Sequence, residues 1–497
     1  MKKTSLMAIV SLACFCAAAG CSDDHGGVDH PDAGPDGDAH DALPDAGPDG
    51  DVYEAAPDGR PDGEVPVCGN GSVEEGEACD DGDTDDCTGD CDEDCSGPAN
   101  ACGDGAARCG EACDGDDLKG SSCTDLGFSG GELACDSTCG YDIAGCGCEE
   151  VIPAYGAPAC LQGSPVGESA GCRDIAGPED ADFVASSAAE LTSALADASS
   201  GDIVYVADGA VLTFNVADRT DWYDEAYMAW VKTGVTLAGG RGRAGVTAGM
   251  IKCEDPAPVY HGGFQVAVGC EADAVVCGLD LAGPSEDKLV VNAKTAIEAF
   301  SGVEVYGNEI HGWGYAGVAC RSSDSAYAAQ AWIHHNTIHH NQYLTHVGYG
   351  IQPQPGSWVL AEGNLIEDSR HHIMISGGLP GAIVEFRYNL LGPADYTQLD
   401  SHGDNDDPPA PPAGDWVMIH HNTSTFTEQP FYQCRGIPLT MVGVYNNWYY
   451  GAEDYGADGA IHQHMDNMAD YGYTAPNDGP FVNMETHDNW FGSTPPP

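Results

Sequence analysis

Seven asparagines punctuate the second half of this chain, each set in the same short phrase, apolar-x-apolar-x-x-Asn-x-apolar. It reads Val303-x-Val305-x-x-Asn308-x-Ile310, then Ala331-x-Ile333-x-x-Asn336-x-Ile338. It returns at Val359…Asn364-x-Ile366, Val384-x-Phe386-x-x-Asn389-x-Leu391 and Val417-x-Ile419-x-x-Asn422, and closes with Val442-x-Val444-x-x-Asn447 and Met484…Asn489-x-Phe491. The first five intervals are 28, 28, 25, 33 and 25 residues (308→336→364→389→422→447). A period of this length is the mark of a solenoid. Alternating apolar residues make each phrase a strand, and Asn suits a turn that needs left-handed backbone. The pattern predicts an all-β chain, a right-handed parallel β-helix with stacked Asn side chains inside. Stacked coils would then bring distant residues into register about 4.8 Å apart on each outer face.

The rest of the 497 residues is organised differently. Met1-Lys2-Lys3, an apolar run from Leu6 to Ala19 and then Gly20-Cys21 read as an export leader (1–20). Ala18-Ala19-Gly20-Cys21 resembles a bacterial lipobox, which implies a mature N-terminus lipidated at Cys21. Membrane attachment is then expected only through that N-terminal lipid, at the outer membrane or cell surface; an ordinary secretory leader, giving a secreted protein, is the other reading. Residues 21–66 repeat Pro-Asp-Ala-Gly-Pro-Asp-Gly (31–37, again 44–50) and are expected to form a disordered stalk. Formal charge is −63, with 80 acidic residues against 17 basic ones. Such a chain repels nucleic acid, so no nucleic-acid partner is expected. Of 23 cysteines, Cys14 and Cys16 belong to the leader and Cys21 to the lipobox, leaving 23 − 3 = 20. An even number in an exported chain reads as disulfides in an oxidising compartment.

Residues 67–148 hold two Cys-rich units, Cys68-Gly69-Asn70-Gly71…Gly76-Glu77-x-Cys79-Asp80 and Cys102-Gly103-Asp104-Gly105…Gly110-Glu111-x-Cys113-Asp114. They resemble the Cys-rich repeats of secreted and surface proteins of myxobacteria, which implies a disulfide-stapled spacer or sorting module. Residues 149–187 read as a linker pinned by Cys160 and Cys172. The solenoid, 188–497, opens on Glu190-Leu191-x-x-Ala194-Leu195, a short amphipathic capping helix. Cys253, Cys270 and Cys277 are spaced to staple its early coils. The domain is expected to be a monomer.

Two outer stripes could carry chemistry. Two residues before each Asn the side chain points out, giving Tyr306, His334, Glu362, Arg387, His420, Tyr445 and His487. This stripe is either a sugar-binding groove or an ordinary wet face. The second lies on the other strand of each coil, in 317–321, 350–354, 372–376, 398–402, 432–435 and 460–464. With Val318, Ile351, Ile373, Leu399 and Ile461 inward, the outward set is Arg321, Gln352 with Gln354, His372, Asp400 with His402, Gln433 with Arg435, and His462 with His464. Asp400-x-His402 places a carboxylate beside an imidazole on one face, so His402 reads as a base oriented by Asp400. Arg435 on the next coil could bind a substrate carboxylate. The competing chemistry is a divalent cation, Ca²⁺ or Zn²⁺, with His464, His372, Asp400 and His402 as ligands. The adjacent pairs His334-His335, His339-His340, His371-His372 and His420-His421 are poor chelators within a strand, since neighbours point to opposite faces.

From about 188 to 492 the repeats, His-His-Asn-x-Ile above all, resemble the PbH1-type coils of the pectate-lyase-like right-handed β-helix superfamily. That resemblance implies an extracellular polysaccharide as partner and, in many members, β-elimination on uronates. The chain departs from two family patterns: residues 295–497 contain no Lys, and Asp400 has no obvious carboxylate partner. The expectation is a lyase-like enzyme with His402 as base, Asp400 orienting it and Arg435 binding the uronate. Arg321, His372, Gln433, Gln352, Tyr306 and His334 are the expected substrate contacts. A non-catalytic glycan-binding β-helix, a hydrolase and an epimerase are the alternatives.

Overall fold

The structure, a computed structural model, describes Ser72, Val73, Ala107 and most of residues 113–492. Within that span it omits 168–170, 215–226, 255–265, 288–293, 323–324, 343–346, 404–411, 451–459, 465–480 and a few single positions. The leader, Cys21, the stalk and most of the first Cys-rich unit lie outside the described residues. Among the described residues no helix is long and apolar enough to cross a membrane.

Residues 183–491 form a right-handed parallel β-helix of three sheets with eleven, ten and nine strands. Each full coil runs through them in a fixed order. The first-sheet strand precedes the Asn (Ala331–His334, Trp358–Glu362, Ile383–Arg387, Trp416–His420), and a second-sheet strand follows it (Thr337–His339, Leu365–Ile366, Leu390–Leu391). The third-sheet strand closes the coil: Thr295–Ala299, Ala316–Cys320, Tyr349–Pro353, His371–Ile375, Leu399–His402, Tyr432–Arg435 and Ile461–His464. Every strand pairs in parallel with its counterpart one coil away, for example Ile333 with Ala361 and Ile373 with Leu399. The inward apolar residues of all three sheets form one continuous core from Ala185 to Met484.

The expected Asn ladder is present. Nδ2 of Asn308 donates to Oδ1 of Asn336 at 3.1 Å, and the chain continues through Asn364, Asn389, Asn422 and Asn447 to Asn489 at 2.9–3.0 Å. Each Oδ1 also accepts the backbone N–H of the preceding ladder Asn, as Asn364 Oδ1 does from Asn336 at 3.1 Å. The left-handed residue is not the Asn but the one before it: His335 (φ 51°), Tyr388 (57°), His421 (52°) and Asp488 (52°). Asn is therefore selected for its side-chain amide, which supplies a donor and an acceptor to a buried turn.

The N-terminal cap is the helix Ala188–Asp197. Ser187 Oγ accepts from Glu190 N at 3.3 Å, and Leu191, Ala194 and Leu195 plug the first coil. The segment read as a linker instead packs lengthwise along the solenoid, near the Asn turns. It starts at the C-terminal coils, with Tyr155 against Trp490 (5.9 Å) and Gly156 N bonded to Asn446 O (2.9 Å). It then crosses His335, whose Nε2 donates to Leu161 O at 2.9 Å, and reaches Cys172, bridged to Cys277. Further bridges join Cys113–Cys135, Cys123–Cys146 and Cys148–Cys160. Among the described residues no bridge joins one early coil to another: Cys277 is tied to this strap, while Cys270, Cys320 and Cys434 are buried thiols that serve as small core residues.

Candidate functional site

The third sheet places chemistry-bearing side chains on its outer face in rows that run along the helix axis. The middle row, in register, is Glu298, Ala319, Gln352, Met374, Asp400, Gln433 and His462. Two residues on lies a second row, Arg321, Gln354, Ser376, His402, Arg435 and the strand position of His464, whose side chain is not described. Alternation holds here because Ile373, Ile375, Leu399, Ser401, Tyr432 and Cys434 point inward. The two polar members of that inner set satisfy each other, Tyr432 Oη donating to Ser401 Oγ at 2.7 Å.

Alternation breaks at the start of these strands. Ala316 and Tyr349 pack with the outward Ala319 and Met374, while a Cβ on Gly317 or Gly350 would meet the core residues Ile338 or Ile366. His371 aligns with Tyr349, so His371 is the outward histidine. His372, expected outward, is fully buried, and its Nε2 donates to Gly392 O at 3.0 Å. His371 is equally buried, so neither ring is exposed to solvent. The glycines at the equivalent position of two preceding coils were the sequence signal for this break.

Asp400, Arg435 and His371 come together. Asp400 is fully buried, and both its oxygens accept from Arg435, Oδ1 from Nε at 3.1 Å and Oδ2 from Nη2. His371 Nε2 lies 3.7 Å from Asp400 Oδ2, its Nδ1 donates to Thr397 O, and its ring stacks 6.0 Å from Tyr349. Burial pushes the Asp400 carboxyl up; the charge and hydrogen bonds of Arg435, with His371 and His402 nearby, outweigh it and hold the group at about 2. Burial holds His371 down to about 3 in spite of Asp400, so it is neutral at physiological pH. The carboxylate expected to orient His402 is thus committed to Arg435. His402 is half-buried and pairs with Arg435 across the strands, in the row nearer solvent.

The neighbouring coils supply amides. Gln354 Nε2 donates to Gln352 Oε1 at 2.9 Å, and Gln352 Nε2 donates to Tyr315 Oη (3.0 Å) and Ser376 Oγ (3.2 Å). Gln352 itself is buried, as is Gln433, whose Nε2 and the His371 Nε2 have no hydrogen-bond partner among the described residues. Arg321, exposed, forms an ion pair with Glu298, which also accepts from Tyr227 Oη at 2.6 Å.

The first-sheet stripe is different. Tyr306, His334 and Glu362 stand in register, with Tyr306 stacked on His334 at 4.9 Å, but the strap covers them. Arg173 N donates to Tyr306 Oη at 2.7 Å, the Arg173 guanidinium lies over Tyr306 and Trp332, and Gln162 Nε2 donates to Glu362 Oε1 at 3.0 Å. Tyr306 and His334 are 5 % and 4 % exposed, so this stripe is an internal interface at the coils where substrate contact was expected. The His-His pairs also differ from expectation. The left-handed turn swings the second ring back to the first, so Nδ1 meets Nδ1 at 2.8 Å in His334-His335 and His339-His340 and at 2.9 Å in His420-His421.

Of the expected cation ligands, His464 has no described side chain. Asp400 is occupied by Arg435, His371 and His372 are held by backbone carbonyls, and among the described residues no group of three His, Cys, Asp or Glu is placed to bind a metal.

No family model matches the chain, and no curated protein does. Among solved structures it is similar to an alginate lyase from Paenibacillus sp. str. FPU-7, at 11 % identity and a TM-score of 0.27, over 63 % of this chain and 97 % of that one.

Proposed function

We propose that this chain is a polysaccharide lyase of the β-eliminating type, acting on a uronate-containing extracellular glycan at the outer face of the third sheet. One observation carries the reading: a half-buried His402 sits one strand, about 4.8 Å, from an Arg435 fixed on a buried, ionised Asp400. Abstraction of the proton α to a carboxylate needs a neutral base and a cation at the carboxylate as charge builds there. His402 takes that proton and Arg435 faces the carboxylate. The C–H electron pair forms the new double bond as the glycosidic C–O bond breaks. The departing oxygen then receives the proton carried by the imidazole, so one group serves both steps. Asp400 positions Arg435 and is not itself a reacting group.

Hydrolysis fits the face less well. It needs two carboxyl groups roughly 5–10 Å apart. The other carboxylate in the described middle row is Glu298, four coils from Asp400, or about 19 Å at 4.8 Å per coil. Export through the leader and anchoring through a lipidated Cys21 complete the proposal: the stalk would hold the β-helix away from the membrane, where polymeric substrate is reachable.

The test is ultraviolet absorbance of the new conjugated double bond when the mature protein meets a panel of uronate glycans. His402→Ala should lower the rate at least a hundredfold while the fold, read by circular dichroism, is retained. New reducing ends without the absorbance would make the protein a hydrolase. Binding with neither product would make it a glycan-binding β-helix.

A further inference from the structure

The charge along the proposed groove restricts the substrate further, on the premise that the lyase reading holds. The row nearer solvent is Arg321, Gln354, Ser376, His402 and Arg435, one residue per coil. At about 4.8 Å per coil its two arginines stand roughly 19 Å apart. Each is already paired with a buried carboxylate, Arg321 with Glu298 and Arg435 with Asp400. The row therefore carries no surplus positive charge. Between Arg321 and His402 lie an amide and a hydroxyl, oriented by Gln352, whose Oε1 accepts from Gln354 and whose Nε2 donates to Ser376 and Tyr315. Groups of this kind hydrogen-bond neutral hydroxyls.

The surrounding sequence makes the shortage of cations general. From Ser322 to Pro497 the chain has three basic residues other than histidine, Arg370, Arg387 and Arg435, and no lysine. Arg387 lies on the first sheet, held by Glu362 and Glu385 at 2.7 Å each. Arg370 lies over the ring of Tyr396. A homopolyuronate advances by about one sugar per coil and would lay a carboxylate on every coil of this row. A carboxylate set over Gln354 or Ser376 would lose water without gaining a cation there, which disfavours its binding.

We infer that the substrate is a heteropolysaccharide in which single uronates are separated by neutral sugars, the uronate lying at His402 and Arg435 and neutral residues over Ser376 and Gln354. Gln354 and Ser376 are then specificity-determining residues, selecting hydroxyls and rejecting charge.

The experiment compares initial rates of double-bond formation by the mature protein on homopolyuronates (polygalacturonate, polymannuronate and polyguluronate) and on polymers in which each uronate alternates with a run of two or more neutral or N-acetylated sugars. Each is run with added calcium and with chelator. The expected result is at least tenfold higher kcat/KM on an alternating polymer. Gln354→Lys should narrow that ratio by raising the homopolyuronate rate. A homopolyuronate cleaved as fast as or faster than every alternating polymer, with or without calcium, overturns the inference and leaves the lyase reading standing. No double bond from any polymer overturns the lyase reading and this inference with it.

Discussion

Replacing Asp400 by Asn tests whether the ion pair beneath the proposed site is the device that holds Arg435. Asp400 is fully buried, and Arg435 is 8 % exposed, so removing the carboxylate's charge leaves a guanidinium desolvated and without its counter-ion. Two routes give the size of the effect. The Asp400 carboxyl falls from its ordinary 3.8 to about 2, which at 1.36 kcal/mol per unit is about 2–3 kcal/mol of stability at neutral pH. Breaking one side of a buried pair costs roughly 3–5 kcal/mol by comparison with other proteins. Asp400→Asn should therefore lose about 3 kcal/mol in urea unfolding. Because a solenoid unfolds coil by coil, the loss should be greatest in amide exchange of Leu399–His402 and Tyr432–Arg435. The depressed carboxyl contributes its stability above about pH 4 and loses it as pH falls through about 2. The gap between the two proteins should thus begin to close below pH 4. Asp400→Leu with Arg435→Met, which removes both charges, should recover most of the stability but no activity. An Asn variant within about 1 kcal/mol of wild type, or one that keeps full activity, would refute the reasoning.

Three further outcomes follow from the architecture. Asn364→Ala removes donors to Ile333 O, Glu362 O and Asn389 Oδ1 and the acceptor for Asn336, all buried; about 3–5 kcal/mol should be lost in urea unfolding. Burial keeps His371 and His372 neutral, down to about 3 and about 4, while the unfolded chain protonates them below about 6.5. Stability should therefore fall by about 2 kcal/mol per histidine between pH 6.5 and 5, and His371→Gln should flatten that slope in urea titrations at the two pH values. Cys172→Ala with Cys277→Ala frees the strap from its covalent tie; proteolysis within 149–187 should speed up at least tenfold while the far-ultraviolet circular dichroism of the solenoid is unchanged.

Why some of this was legible in the sequence and some was not comes down to what period-2 alternation can report. The Asn phrase states the coil because the ladder needs one amide per turn, and an amide cannot be exchanged for an apolar residue of similar size. Asp400 and Arg435 were readable as neighbours because their strands alternate cleanly around Leu399, Ser401, Tyr432 and Cys434. His371 was not, because an irregularity shared by three coils reverses the face of one residue. Only Gly317 and Gly350, small where a side chain would strike the core, betray it. The burial of Tyr306 and His334 was legible in neither period nor composition. The strap that covers them has no repeat, and two of its contacts, Leu161 O to His335 and Arg173 N to Tyr306, use backbone groups that every residue owns. The same asymmetry bears on function. Repetition places chemistry at regular intervals on all three faces, but the irregular segment decides which face stays open. On the first sheet it closes the coils from Tyr306 to Glu362 and leaves Arg387 and Tyr445 half-buried, with His487 exposed. Among the described residues, Gln354, Ser376 and His402 on the third sheet keep coil-by-coil register and partial access to solvent, beside the buried Arg435. That combination places the proposed site there, in preference to the more aromatic stripe beneath the strap.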